Sequence, residues 1–267
     1  MKLSEPAPAK LNLALHVRGK LADGRHALET IFAFCVDGDR VEAEPSDAFE
    51  LEVAGPFAAG LGPDDDNLVL RAAKRLAEVG DVSGGAKLRL TKNLPVASGI
   101  GGGSADAGAT LRLLTRMWRL DPRYAESIAP ELGSDVPACL LSLPARGEGA
   151  GDQLQFVELG ASNNPVLLVN PGAPLSTAEV FACWDGIDRG ALDDWRDGRN
   201  DLEEPARRLV PEIGSVLDWL KGRRGADVSR MSGSGATCFA LFDDEESRDE
   251  AAADCPPNWW HLASFLR

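Results

Sequence analysis

Residues 9–17 (AKLNLALHV) place Leu11, Leu13 and Leu15 alternately with Lys10, Asn12, Ala14 and His16. That period of two predicts a β-strand with one wet face, on which Lys10 and Asn12 point the same way. Residues 31–34, 40–44, 49–53 and 86–91 read as further short strands, parted by turn signals at Asp37-Gly38 and Ser83-Gly84-Gly85. Helical spacing takes over in 68–79, where Leu70, Ala73, Leu76 and Ala77 share a face and Asn67 is placed to cap. It returns in 105–120 through Ala107, Leu111, Leu114 and Trp118, in a helix that opens directly from a run of glycines. Residues 144–163 are rich in Gly, Ala, Ser and Asn around one strand at 153–158, and mark the expected lobe boundary. Beyond it, 165–169 and 237–242 read as strands, and 176–184, 211–221 and 245–254 as helices.

A chain of 267 residues exceeds the usual single core. The expectation is a two-lobed α+β fold with mixed or antiparallel sheets, helices packed on them and a cleft between the lobes. Residues 1–155 would form the N-terminal lobe and 156–267 the C-terminal lobe. Hydrophobic residues at 44% and charged residues at 26% fit an ordinary globular chain. The net charge of −14 argues against nucleic acid and anionic membranes as partners. Five widely spaced cysteines without a CxxC pair suggest reduced thiols, and no run of ~18 apolar residues predicts a membrane span. A cytoplasmic protein, monomeric or weakly dimeric, is expected.

The strongest chemical signal is Pro95-Val-Ala-Ser-Gly-Ile-Gly-Gly-Gly-Ser104-Ala-Asp-Ala107. Glycines let a backbone approach a ligand closely, and the free N–H groups of the following helix start attract anions. This is the pattern of a phosphate cradle. Ser104 is placed either to cap the helix or to give its hydroxyl to a phosphate or to Mg²⁺. No lysine follows Gly103, so the P-loop pattern fails, and Ser104 stands where the dinucleotide fingerprint needs its third glycine. A second small-residue segment, Met231-Ser-Gly-Ser-Gly-Ala-Thr237, leads into an apolar strand. Lys10 and Asp135 supply a cation and a carboxylate, which phosphoryl transfer to an alcohol requires. Taken singly, Asp135 also reads as a helix cap ahead of Val136-Pro137, and Lys10 as a solvated strand lysine.

Pro8-Ala9-Lys10-Leu11-Asn12-Leu13, the loop 95–107 and Ser232-Gly-Ser-Gly-Ala-Thr237 together resemble, in order and spacing, the GHMP kinases. Within that family, Ala22-Asp-Gly-Arg-His26-Ala-Leu-Glu-Thr30, Asp66-Asn67-Leu68, Gly133-Ser-Asp135-Val-Pro137 and Asn170-Pro-Gly172 resemble members acting on a cytidine-bearing alcohol. The resemblance implies an ATP-dependent kinase that phosphorylates the 2-hydroxyl of a diphosphocytidyl-methylerythritol on the non-mevalonate route to isoprenoids, with ATP and Mg²⁺ as cofactors. It implies Asp135 as general base and Lys10 as the group that orients it and steadies the nucleophile. It places the ATP phosphates along Val96, Ala97, Ser98, Gly99, Ile100, Gly101, Gly102, Gly103, Ser104, Ala105 and Asp106, with Asn67 beside the nucleotide. It gives the substrate to Asn12 and His26, with His26 reading the cytosine edge and Phe181 and Phe32 stacking on its ring. Many relatives have an aromatic residue before that histidine, whereas this chain has Arg25, whose guanidinium can stack on a base or meet a diphosphate. A non-catalytic nucleotide-binding module would be marked by loss of Lys10 or Asp135, and both are present.

Overall fold

The computed structural model describes residues 2–59, 61, 66–161 and 163–267. The chain divides into two compact units, each assembled from separated segments. The first comprises Met1–Ala9, Asp37–Val96 and Gly101–Ser142; the second comprises Lys10–Val36, Ala97–Ile100 and Leu143–Arg267. Two long strands, β1 (Leu3–Lys20) and β2 (His26–Ser46), contribute residues to both units.

In the first unit, β4 (Gly85–Thr91) pairs antiparallel with Arg40–Ser46 of β2 and parallel with β3 (Glu50–Ala54). The sheet there is therefore mixed rather than purely antiparallel. Helix α1 (Leu68–Val79) runs over the expected residues, and Asn67 caps it by accepting the Val69 N–H at 3.0 Å. Its apolar face, Val69, Leu70, Ala73 and Leu76, is buried, and the helix packs on β4 and on α2 (Gly102–Trp118). Helices α3 (Pro122–Leu132) and α4 (Val136–Leu141) complete this unit. At Gly108 a Cβ would lie 2.7 Å from the Cys139 carbonyl carbon, so the glycine sets how closely α2 and α4 cross.

Asp37-Gly38 does not break the chain, and β2 runs straight through it. Gly38 answers a different need: a Cβ there would sit 2.2 Å from the Ala7 carbonyl oxygen, so close approach of β1, not a turn, requires the glycine.

In the second unit, Thr30–Phe32 of β2 pairs with β5 (Ala145–Glu148), which pairs with β6 (Gln153–Phe156). A separate antiparallel sheet has the order β10 (Trp260–Phe265), β7 (Pro165–Asn170), β9 (Cys238–Phe242), β8 (Ala226–Met231). Helices α5 (Thr177–Ala182), α6 (Glu203–Leu209), α7 (Glu212–Lys221) and α8 (Glu245–Ala253) belong to this unit. Leu167, Val169, Ile213, Val216, Leu217 and Leu220 are among the residues of its main apolar core.

Among the described residues no helix is long and apolar enough to cross a membrane. β1 corrects the reading of its own pattern. Leu11 and Leu13 are buried as the alternation demands, yet Lys10, Asn12 and His16 are 2%, 3% and 2% exposed. Both faces of the strand are covered, and the polar face is satisfied by hydrogen bonds instead of water.

Candidate active site

The glycine-rich segment ends in the start of α2. Ala97 and Gly101 have φ of 53° and 63°, and Gly101 occupies the N-cap of α2 in the left-handed region. Gly101 has no side chain, so the N-cap position itself gives the first turn of α2 no side-chain hydrogen bond. Ser104 is therefore not the cap; α2 begins at Gly102 and carries Ser104 within its first turn. Val96, Ala97 and Gly103 are exposed, Gly99, Gly101, Gly102 and Ser104 half-buried, and Ser98, Ile100 and Ala105 buried.

Lys10 and Asn12 lie two residues apart on β1 and meet through their side chains. The Lys10 ammonium donates to Asn12 Oδ1 at 2.8 Å, and Asn12 Nδ2 donates to Thr30 Oγ1 at 2.8 Å. The Thr30 hydroxyl in turn donates to the Ala14 carbonyl at 2.7 Å. The Asn12 N–H donates to Ser232 Oγ at 3.2 Å, and the Ser232 hydroxyl donates to the Gly99 carbonyl at 3.1 Å. The Lys10 N–H reaches the Ile100 carbonyl at 3.0 Å, and the Thr237 N–H reaches the Ser98 carbonyl at 3.1 Å. Residues 98–100 and the second glycine segment are thus tied to one strand and to each other. A Cβ on Gly99 (φ +78°) would lie 2.4 Å from the Gly235 carbonyl oxygen, so no other residue permits this approach. Neither Ser232 nor Thr30 stood out as a site residue in the sequence, because their value lies in what they join.

Phe32 is 1% exposed, and the Lys10 ammonium lies 5.4 Å from its ring centroid. Its ring also lies where a Cβ on Gly147 would come within 2.6 Å. The packing makes Phe32 a support for the buried cation and does not favour it as a stacking surface for a base.

The other expected substrate residues form a separate cluster in the same unit. His26 stacks on Phe181 with centroids 4.7 Å apart and planes 29° from parallel. Trp184, absent from the sequence expectations, meets His26 edge-on at 5.5 Å. Burial first, and then the positive charge of Lys20, hold the His26 imidazole below its ordinary pKa. The ring is neutral near pH 7 and presents one donor and one acceptor nitrogen. Arg25 is exposed and engaged elsewhere: its Nε lies 2.8 Å from Asp23 and its Nη1 3.3 Å from Asp152.

Asp135, in the first unit, is half-buried at the N-cap position of α4 and makes no capping hydrogen bond through its side chain. The reading of Asp135 as a simple cap is thereby set aside.

One group beside the glycine segment was not legible in the sequence. The Lys92 ammonium, 2% exposed, donates to Asp106 Oδ2 at 2.8 Å and to Asp39 Oδ2. Asp39 Oδ1 also accepts the N–H groups of Asn93 at 2.5 Å and Leu94 at 2.9 Å. Two carboxylates therefore share one cation in a dry environment, and Asp106 Oδ1 has no hydrogen-bond partner among the described residues. Burial above all pushes the Asp106 carboxyl up to about 7; Lys92 opposes that shift and Asp39 adds to it. A Cβ on Gly102 would stand 2.9 Å from the Lys92 ammonium, so the triad lies directly against the start of α2. The Asp106 side chain, expected to face phosphates, is committed to Lys92; any phosphate contact at this position falls to backbone N–H groups nearby. Among the described residues no group of three or more His, Cys, Asp or Glu side chains is arranged to hold a metal.

The GHMP kinases N terminal domain matches residues 67–142, and the GHMP kinases C terminal domain matches residues 182–261. The chain is 51% identical to the 4-diphosphocytidyl-2-C-methyl-D-erythritol kinase of Rhizorhabdus wittichii, over 100% of this chain and 96% of that protein. It is 49% identical to the enzyme of the same name from Novosphingobium aromaticivorans, over 100% of this chain and 94% of the other. A crystal structure of 4-(cytidine 5'-diphospho)-2C-methyl-D-erythritol kinase, 32% identical, superposes with a TM-score of 0.81 over 100% of this chain and 99% of that one. Homoserine kinase from Cytophaga hutchinsonii shares the fold, with a TM-score of 0.74 at 18% identity over 99% and 95% of the two chains.

Proposed function

We infer that this chain, which belongs to the GHMP kinase family, uses ATP to phosphorylate the 2-hydroxyl of 4-diphosphocytidyl-2-C-methyl-D-erythritol, a step of non-mevalonate isoprenoid synthesis. The observation that carries the reading is the hydrogen-bonded path from Lys10 through Asn12 and Ser232 to Gly99, which joins three separate motif segments into one arrangement. Full-length relatives at 49–51% identity bear the name of an enzyme for that substrate, and they direct the choice of alcohol.

In this reading residues 1–155 supply the nucleotide's contacts. The backbone of 96–105 and the uncapped start of α2 receive the phosphates, where the N–H groups and helix dipole favour negative charge. Asn67 lies beside the nucleotide. Mg²⁺ would bind the phosphate oxygens, and the Ser104 hydroxyl is a hard oxygen donor of the kind it prefers. Phosphoryl transfer asks the protein chiefly for placement and charge neutralisation. Asp135 takes the proton of the attacking hydroxyl, and Lys10, held by Asn12, places positive charge by the nucleophile. His26 reads the cytosine edge in its neutral form, and Phe181, from residues 156–267, supplies the aromatic surface there. Arg25 flanks His26 and would reach the base or diphosphate by leaving Asp23 or Asp152.

The test is ADP release with Mg-ATP and 4-diphosphocytidyl-2-C-methyl-D-erythritol, run on the wild type and on Asp135→Asn in parallel. Substrate-dependent turnover that falls by about 10²-fold or more in the variant is the expected result. ATP binding without substrate-dependent ADP would overturn the choice of alcohol and make homoserine and mevalonate the next trials.

A further inference from the structure

Asn200 stands in an irregular stretch between α5 and α6, outside every motif that points to the kinase reading, and is 7% exposed. Its backbone is anchored to β1: Asn200 bridges Leu15, the Leu15 N–H donates to the Arg199 carbonyl at 2.8 Å, and the Asp201 N–H returns to the Leu15 carbonyl at 2.9 Å. Its carboxamide makes three hydrogen bonds. Nδ2 donates to the Met231 carbonyl at 2.7 Å and the Gly233 carbonyl at 2.8 Å, while Oδ1 accepts the Leu202 N–H at 2.9 Å. Two carbonyls on one side and an N–H on the other admit one amide orientation only.

The residue between those two carbonyls is Ser232. Its hydroxyl accepts the Asn12 N–H and donates to the Gly99 carbonyl, and it is 0% exposed. The neighbouring Gly233 (φ +57°) lies so close that a Cβ would stand 2.9 Å from the Gly99 oxygen and 3.2 Å from Asn12 Oδ1. Asn200 thus grips the chain on both sides of the hydroxyl that joins the lysine-bearing strand to the first glycine segment. We propose that Asn200 is a positioning residue for phosphoryl transfer: by clamping the Met231 and Gly233 carbonyls it fixes Ser232, and through Ser232 the relative placement of Asn12, Lys10 and Gly99. The proposal rests on the kinase reading above. It adds a residue that acts through Ser232.

The experiment is a double-mutant cycle on the full chain with Asn200→Asp, Ser232→Ala and the pair, reading kcat, both KM values and Tm. Asn200→Asp keeps the size of the side chain and its bond to Leu202 but loses both donors. A misplacement of this kind lowers kcat by about 10- to 100-fold, with KM values shifted less than about threefold. Because the two residues act in series, the double variant is expected to lose no more kcat than the worse single one. Multiplying losses would overturn the proposal, as would a lowered Tm with kcat unchanged, which marks a structural role alone. Should Asn200→Asp fail to fold, Ser232→Ala still decides, since it leaves the Asn200 bonds intact: wild-type kcat there overturns the proposal. A wild type inactive on the cytidine substrate but active on another alcohol refutes the substrate reading alone, and the same cycle is then run with that alcohol.

Discussion

Lys92 and Asp106 pair at 2.8 Å with side chains only 2% and 4% exposed, and Asp39 completes the group from the other side. Removing the cation strands two carboxylates in a dry site. Lys92→Met is expected to cost about 3–5 kcal/mol of stability, read from denaturant unfolding. A loss below ~1 kcal/mol would mean that the charges are not buried as described.

The same triad makes stability depend on pH. The Asp106 carboxyl titrates at about 7 in the folded chain against 3.8 as its ordinary value. Its folded pKa is raised, so the protonated form favours folding below the ordinary value, and that contribution fades as pH climbs toward and through about 7. Tm of the wild type relative to Asp106→Asn should therefore fall between pH 4 and pH 8. A difference that rises or stays level contradicts the assignment.

His26 titrates with the opposite sign. Burial and Lys20 lower its pKa, so the neutral ring persists to below the ordinary value of 6.5. The KM for the cytidine-bearing substrate should stay level from pH 8 to 6.5 and climb only in more acid solution. His26→Ala should raise that KM about tenfold, the worth of one good hydrogen bond, while the KM for ATP stays within twofold. Steady-state kinetics across the pH range decides it.

Two glycines of the same run should behave differently. Gly99→Ala places a methyl group 2.4 Å from the Gly235 oxygen at a positive φ, and should cost about 1–3 kcal/mol together with at least tenfold in kcat. Gly103→Ala meets nothing closer than a Leu68 methyl at 3.4 Å and lies inside α2, so its Tm should hold or rise. Equal thermal losses at both positions would refute the close approach of the two glycine segments.

How much of this was visible in the chain depended on the range of the forces involved. Asn67 and α1 were legible because a cap and a 3.6-residue repeat are local. The helix after the glycine run was legible too, although α2 starts three residues earlier than its apolar stripe suggested, since Gly102 and Gly103 carry no hydrophobic signal. α3 carries Pro130 within it and was not found, and the six-residue α4 shows less than two turns of pattern, so only the reading of Asp135 as a cap pointed to its start. The wet face assigned to Lys10 and Asn12 was wrong because alternation reports polarity and not exposure; these side chains meet Thr30 and the Phe32 ring, which lie on another strand. Asp39, Lys92 and Asp106 could not be joined from sequence, since each alone is an unremarkable charge.

The interleaving of the two units carries a consequence for how the chain is made. A ribosome delivers the last segment of the first unit, Gly101–Ser142, before any of Leu143–Arg267 exists. The first unit then has its complete sequence, while Lys10–Val36 still waits for most of its partners. Leu15 belongs to an apolar core with Leu167, Val169, Ile213 and Leu217, all made later, and the Phe34 carbonyl accepts its hydrogen bond from the N–H of Arg267, later still. The nascent chain therefore carries Leu15 without that part of its core until the later segment follows. That exposure invites chaperone binding during translation and places the heaviest demand on folding in the segment that holds Lys10.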